Sequence, residues 1–141
     1  MYGNYPAWHP ADSTVLYQIR AIKLGGEVIG DSLWIHDVST GSRQCLIFLN
    51  GSNRYPKYSP DGEAIAFSSD VQVWTMSEDG KELIQLTFDE GGSMPDWSPD
   101  GEQIIYMGSK GTIWVMDKDG SNQLSLTTRP EGSIDSTNYE Y

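Results

Sequence analysis

Few side chains in this sequence carry the chemistry of a reactive site. It holds two histidines, His9 and His36, and one cysteine, Cys45. Two imidazoles with no cysteine cluster make a poor zinc site. The stretch Asp117-Lys-Asp119-Gly-Ser-Asn122 opens like a calcium loop. Such a loop needs a bidentate Glu at its twelfth position, and that position is Thr128. The same slot recurs as Ser77-Glu-Asp79-Gly80 and Asp37-Val-Ser-Thr-Gly41, so the pattern reads as turn chemistry. No Gly-x-Ser-x-Gly nucleophile elbow occurs, and no glycine-rich phosphate loop. The acidic residues fall in turns and give no converging pair for acid–base work. From the residues alone, the chain is expected to hold no catalytic group, metal or cofactor, and not to be an enzyme.

The bulk composition narrows the partners. Twenty acidic residues against nine Lys and Arg give a formal charge of −11. That surface repels phosphate backbones and anionic membranes, so neither nucleic acid nor membrane is an expected partner. A single cysteine allows no internal disulfide. No apolar run approaches the ~20 residues of a membrane-spanning helix. The N-terminus lacks the basic start and apolar stretch of a secretory signal. That fits the cytoplasm as the sequence stands, and the periplasm if a leader has been removed.

The elements that must position any site come from a repeat. Pro56-Lys-Tyr58-Ser-Pro60-Asp-Gly62 returns as Pro95-Asp-Trp97-Ser-Pro99-Asp-Gly101. A looser first copy is Pro6-Ala-Trp8-His-Pro10. Trp34, Trp74 and Trp114 are spaced by 40 and 40 residues. Pro10, Pro60 and Pro99 each precede an aromatic, Tyr17, Phe67 and Tyr106, by seven residues. Each unit reads as four short strands. A Pro-x-aromatic strand leads into a turn where Pro presets φ and Gly accepts a positive φ. An apolar strand follows, then an alternating strand carrying the Trp. An Asp-Gly hairpin leads to the last strand. In this frame Cys45 aligns with Ile84 and Leu124 as a small core residue. His36 takes the place of Met76 and Met116 as a core or inter-blade residue, and His9 takes that of Ser98.

Four-stranded units of ~40 residues are propeller blades. The chain resembles the TolB-type propeller repeat, a relative of the WD-repeat propellers, over residues 5–128. The match is tight in units two and three; unit one replaces Asp-Gly by Ala11-Asp12. The resemblance implies an all-β propeller fold. The family holds partner-binding periplasmic proteins and the gating propellers of some peptidases, so it fixes no function.

The expected organisation is one propeller half, residues 1–141, with blades at 5–55, 56–94 and 95–134 and a tail at 135–141. Closed propellers hold 4–8 blades, and three would leave two apolar sheet faces bare. Two copies about a two-fold axis would make a six-bladed homodimeric ring. The open alternative is a fragment of a longer propeller chain. Tyr17 and Trp34 stand 17 residues apart where the other units have 7 and 8, so a hairpin is inserted near 20–31. Arg54, Asp89 and Glu90 in linkers, Lys57 and Asp96 toward the channel, and Lys23 and Glu27 in the insertion are the candidate binding residues. The expected function is a non-catalytic module binding protein or peptide. The alternative is an enzyme, a hydrolase or lyase on small or carbohydrate substrates, using the channel.

Overall fold

A computed structural model of the chain describes residues 3–22, 28–49, 51–89 and 91–128. They form three four-stranded antiparallel sheets, each a meander in chain order. The first holds β1 (Gly3–Trp8), β2 (Thr14–Ile22), β3 (Val28–Asp37) and β4 (Arg43–Leu49). The second holds β5 (Asn53–Tyr58), β6 (Ala64–Ser69), β7 (Gln72–Ser77) and β8 (Ile84–Gln85). The third holds β9 (Ser93–Trp97), β10 (Gln103–Met107), β11 (Ile113–Asp117) and β12 (Leu124–Ser125). The all-β propeller fold expected from the repeat is what forms, with Trp34, Trp74 and Trp114 on the third strand of each blade.

The register repeats from blade to blade. Tyr17 faces Trp34, Phe67 faces Trp74, and Tyr106 faces Trp114. Val15 faces His36, Ile65 faces Met76, and Ile104 faces Met116. Side chains alternate along a strand, so each sheet has a leading face with these pairs and a trailing face with their neighbours. Between the first two blades, Leu16 and Leu33 meet Ile65, Phe67 and Met76. Between the second and third, Ala66, Val73 and Leu86 meet Ile104, Tyr106 and Met116. The core is therefore two apolar seams between stacked sheets.

The Ser-Pro-Asp-Gly turns explain much of the acid. In the third blade Ser98 Oγ donates to Asp100 Oδ1 at 2.6 Å, and Glu102 N donates to the same oxygen at 3.1 Å. Gly62 sits at φ +83°, against the first blade, where an added Cβ would overlap His9 Nε2. His9 also stacks edge-on to Tyr58, with centroids 4.8 Å apart. It thus fastens the first turn to the second blade.

One core position of the sequence reading is placed differently. Cys45 is exposed. Cys45 pairs with Trp34 as Gln85 pairs with Trp74 and Ser125 with Trp114, so its counterparts are Gln85 and Ser125, and the Ile84 and Leu124 it was matched to are themselves exposed. The ladder slips only after Cys45, at Leu46, and Leu46 and Ile47 both pack against the first seam.

Candidate functional site

The first strands converge, β1 against β5 and β5 against β9, and so line the propeller axis. All three are bulged at one place. Tyr5, Tyr55 and Met94 have φ of 54°, 56° and 53°, and each precedes a proline. A non-glycine residue rarely adopts positive φ, and a following proline pushes its predecessor toward extended backbone. The same conformation three times over is a built feature of this wall. The Tyr5 and Tyr55 rings meet at 4.3 Å between centroids, tilted by 50°. Met94 is anchored by its N–H, which donates to Ser68 Oγ at 3.0 Å. The result is a polarisable wall of two phenols and a thioether along the axis, each partly open to solvent.

The end of the wall that carries the interblade linkers also carries a charged cluster. Arg20 and Asp31 face each other at the base of the inserted hairpin. Asp31 is 2% exposed, with Arg20 Nε 3.6 Å from one carboxylate oxygen and Arg54 Nε 3.8 Å from the other. Two guanidinium groups against one carboxylate leave a local excess of one positive charge on a chain of net −11. Asn53 Nδ2 donates to the Asp31 carbonyl at 2.8 Å and ties the cluster to β5.

The β6–β7 turn organises the same face. Asp70 and Val71 both have positive φ, 47° and 63°. Asp70 Oδ1 accepts from Ser52 N at 3.0 Å, and Val71 O accepts from Gly92 N at 2.7 Å. One strained turn thereby holds the linkers on both sides of the second blade.

The residues singled out from the sequence scatter over this frame. Arg54 lies inside β5, not in a linker, and joins Asp31. Lys57 is partly buried on β5, and its carbonyl accepts from Trp97 Nε1 at 3.2 Å. Asp96 is exposed on β9, with Oδ1 accepting from Trp97 N at 3.1 Å. Asp89 is exposed after β8. Glu90, Lys23 and Glu27 lie outside the described residues, as does the tail at 135–141. Arg20, Asp31, Tyr5, Tyr55 and Met94 were missed. The insertion flanked by Arg20 and Asp31 was the available signal for two of them; nothing in Tyr-Pro announces a left-handed residue.

The opposite face is acidic turn chemistry. Asp79 is pulled down to about 2, first by Lys81 and then by Ser77. Asp119 is lowered by Ser121, whose N–H and hydroxyl both donate to it. Asn122 Nδ2 donates to Asp117 at 2.7 Å. The calcium-like stretch is thus occupied by its own turn.

No family model matches the sequence. The chain is 32% identical over 114 residues to the uncharacterized peptidase YuxL of Bacillus subtilis, covering 75% of this chain and 17% of that protein. It is 32% identical over 90 residues to a probable dipeptidyl-aminopeptidase B of Pyrenophora teres, covering 60% of this chain and 10% of that protein. Its fold matches a putative TolB from Agrobacterium tumefaciens with a TM-score of 0.77 at 24% identity, over 90% of this chain and 50% of that one. The fold is that of a TolB-like β-propeller. The expectation that the chain is not an enzyme is corrected by these relatives, which are named peptidases and of which it spans only a small part. That expectation came from a search for nucleophiles and acid–base pairs, and such a search does not register likeness to a peptidase carried by blades alone.

Proposed function

We propose that these blades form part of a propeller that receives peptide for a peptidase. The similarity to one named peptidase over 75% of the chain, and to another over 60%, carries this reading. The axis wall supports it. Tyr5, Tyr55 and Met94 offer flat or adaptable apolar contacts that suit side chains of varied kind. The Arg20–Asp31–Arg54 cluster at the linker face supplies an excess positive charge suited to a peptide carboxylate. Arg54, Lys57, Asp89 and Asp96 stand as contact residues in this reading; Lys23, Glu27 and Glu90, outside the described residues, are carried as candidates from the sequence alone. The hydrolytic groups would come from a peptidase unit outside these blades.

Titrating the chain with an unstructured peptide, followed by amide NMR, tests the proposal. Signals of Tyr5, Tyr55, Met94 and Arg54 are expected to move, and Tyr55→Ala to abolish the movement. No movement, or movement confined to the Ser-Pro-Asp-Gly turns, contradicts it.

A further inference from the structure

The equivalence of the blades says what the two outermost sheet faces want. On the first blade the leading face carries Trp8, Val15, Tyr17, Trp34 and His36. Those positions match Trp97, Ile104, Tyr106, Trp114 and Met116, which pack on the second blade. Among the described residues no other sheet faces them in the first blade, and Trp8 is 65% exposed. On the third blade the trailing face carries Ile105, Ile113 and Leu126, exposed by 44%, 38% and 55%. Their counterparts in the second blade, Ala66, Val73 and Leu86, are exposed by 0%, 0% and 3%. Exposed apolar area of this extent marks an interface. One bare face is of the kind that leads and the other of the kind that trails, so each fits the other.

We propose that a second copy of this chain closes the ring. Two copies about a two-fold axis set the trailing face of each third blade on the leading face of the partner's first blade. The junction repeats the seam already present twice within the chain. Doubling three blades gives six, inside the range of closed propellers, whereas a third copy would give nine. The second copy also completes the axis wall, since one chain supplies only one arc of Tyr5, Tyr55 and Met94. The inference stands apart from the peptidase reading, because it rests on the seams alone.

Light scattering on the 141-residue chain tests it, with Trp8→Glu and Ile105→Glu made separately. Wild type is expected at twice the chain mass. Each variant places a carboxylate in the seam and should weaken pairing roughly tenfold or more. An equimolar mixture of the two variants should pair again, because one junction then has both faces native. Circular dichroism confirms that each variant keeps its β signal; if Ile105→Glu does not, Leu126→Glu on the same face replaces it. A wild-type chain of single mass, variants that stay paired, or a mixture that stays unpaired each overturn the proposal. A single-mass wild type would assign the two faces to blades elsewhere on one longer polypeptide.

Discussion

At the scale of single residues, the turns decide more than the apolar positions. Gly62 needs both its left-handed backbone and its bare Cα, because His9 lies where a side chain would begin. Gly101 has a similar φ of +73°, but an added Cβ would lie an ordinary 3.5 Å from Pro60 Cδ. Gly62→Ala is therefore expected to cost about 2–3 kcal/mol, and Gly101→Ala about 1 kcal/mol, read as shifts in urea midpoint. Val71 is the converse case, a β-branched residue held at φ 63° and 70% exposed. Val71→Gly should raise stability by about 1 kcal/mol, since the strain goes and no packing is lost. The turn carboxylates set the acid limit. Asp61, Asp79, Asp100 and Asp119 are all lowered, chiefly by hydrogen bonds from Ser59, Lys81, Ser98 and Ser121. A lowered carboxylate stabilises above its unfolded value and ceases to as pH falls through its folded value. Stability should thus decline from about pH 4 toward pH 2. Burial pushes Tyr58 up to about 12. Its contribution is complete below the unfolded value and lost between about pH 10 and 12, so alkaline unfolding monitored by tryptophan fluorescence should show that step.

At the scale of elements, the outer strands are short, and side chains extend them. β8 and β12 hold two residues each. Beyond them Thr87 Oγ1 accepts from Val73 N at 2.9 Å, and Thr127 Oγ1 accepts from Ile113 N at 2.9 Å. The Thr87 hydroxyl also donates to Gln72 Oε1 at 2.7 Å. Thr87→Val keeps the shape and orphans a buried N–H, an expected cost of about 1–3 kcal/mol in thermal or urea unfolding. Gln72 is thereby drawn away from Trp74, whose Nε1 has no partner, while Trp34 and Trp114 donate to Ser32 and Thr112 at 2.9 Å. The inserted hairpin is held by Asp31. Asp31→Asn leaves two guanidinium groups facing each other, and hydrogen exchange should rise in β2, β3 and the linker at Ser52 while the other blades hold. What was legible at this scale followed from local rules. Pro, Asp-Gly and aromatic alternation each specify geometry, so strands and turns could be placed. The bulges could not. A Tyr-Pro pair favours extended backbone by itself, and only the crowding of three first strands holds Tyr5, Tyr55 and Met94 in the left-handed region. Cys45 was misplaced because the alignment ran one residue off the register that pairs Cys45, Gln85 and Ser125 with their tryptophans, and because apolar Ile84 and Leu124 on the short outer strands are exposed. Arg54 was assigned to a linker because strand ends shift with the bulge that follows them.

At the scale of the whole molecule, blades repeat in sequence because they repeat in contact. Each leading face is written for the trailing face before it, so the first and third blades carry the same instructions as the second. This is why the fold was readable from spacing and the function was not. Spacing encodes seams, while the axis wall and linker face are formed by several blades together. The net charge of −11 acts on the same level. Two copies repel, so pairing should strengthen as salt screens that repulsion, with most of the gain reached near 0.15 M where the Debye length is about 8 Å. Hydroxyl-radical footprinting of the native chain in solution tests the central claim most directly, that the outer faces are seams awaiting their mates. If they are covered, Trp8 should be oxidised no faster than its counterpart Trp97, and Ile105 and Leu126 as slowly as the buried side chains of the second blade. Oxidation of Trp8 and Leu126 at the rates of freely exposed side chains would contradict the account.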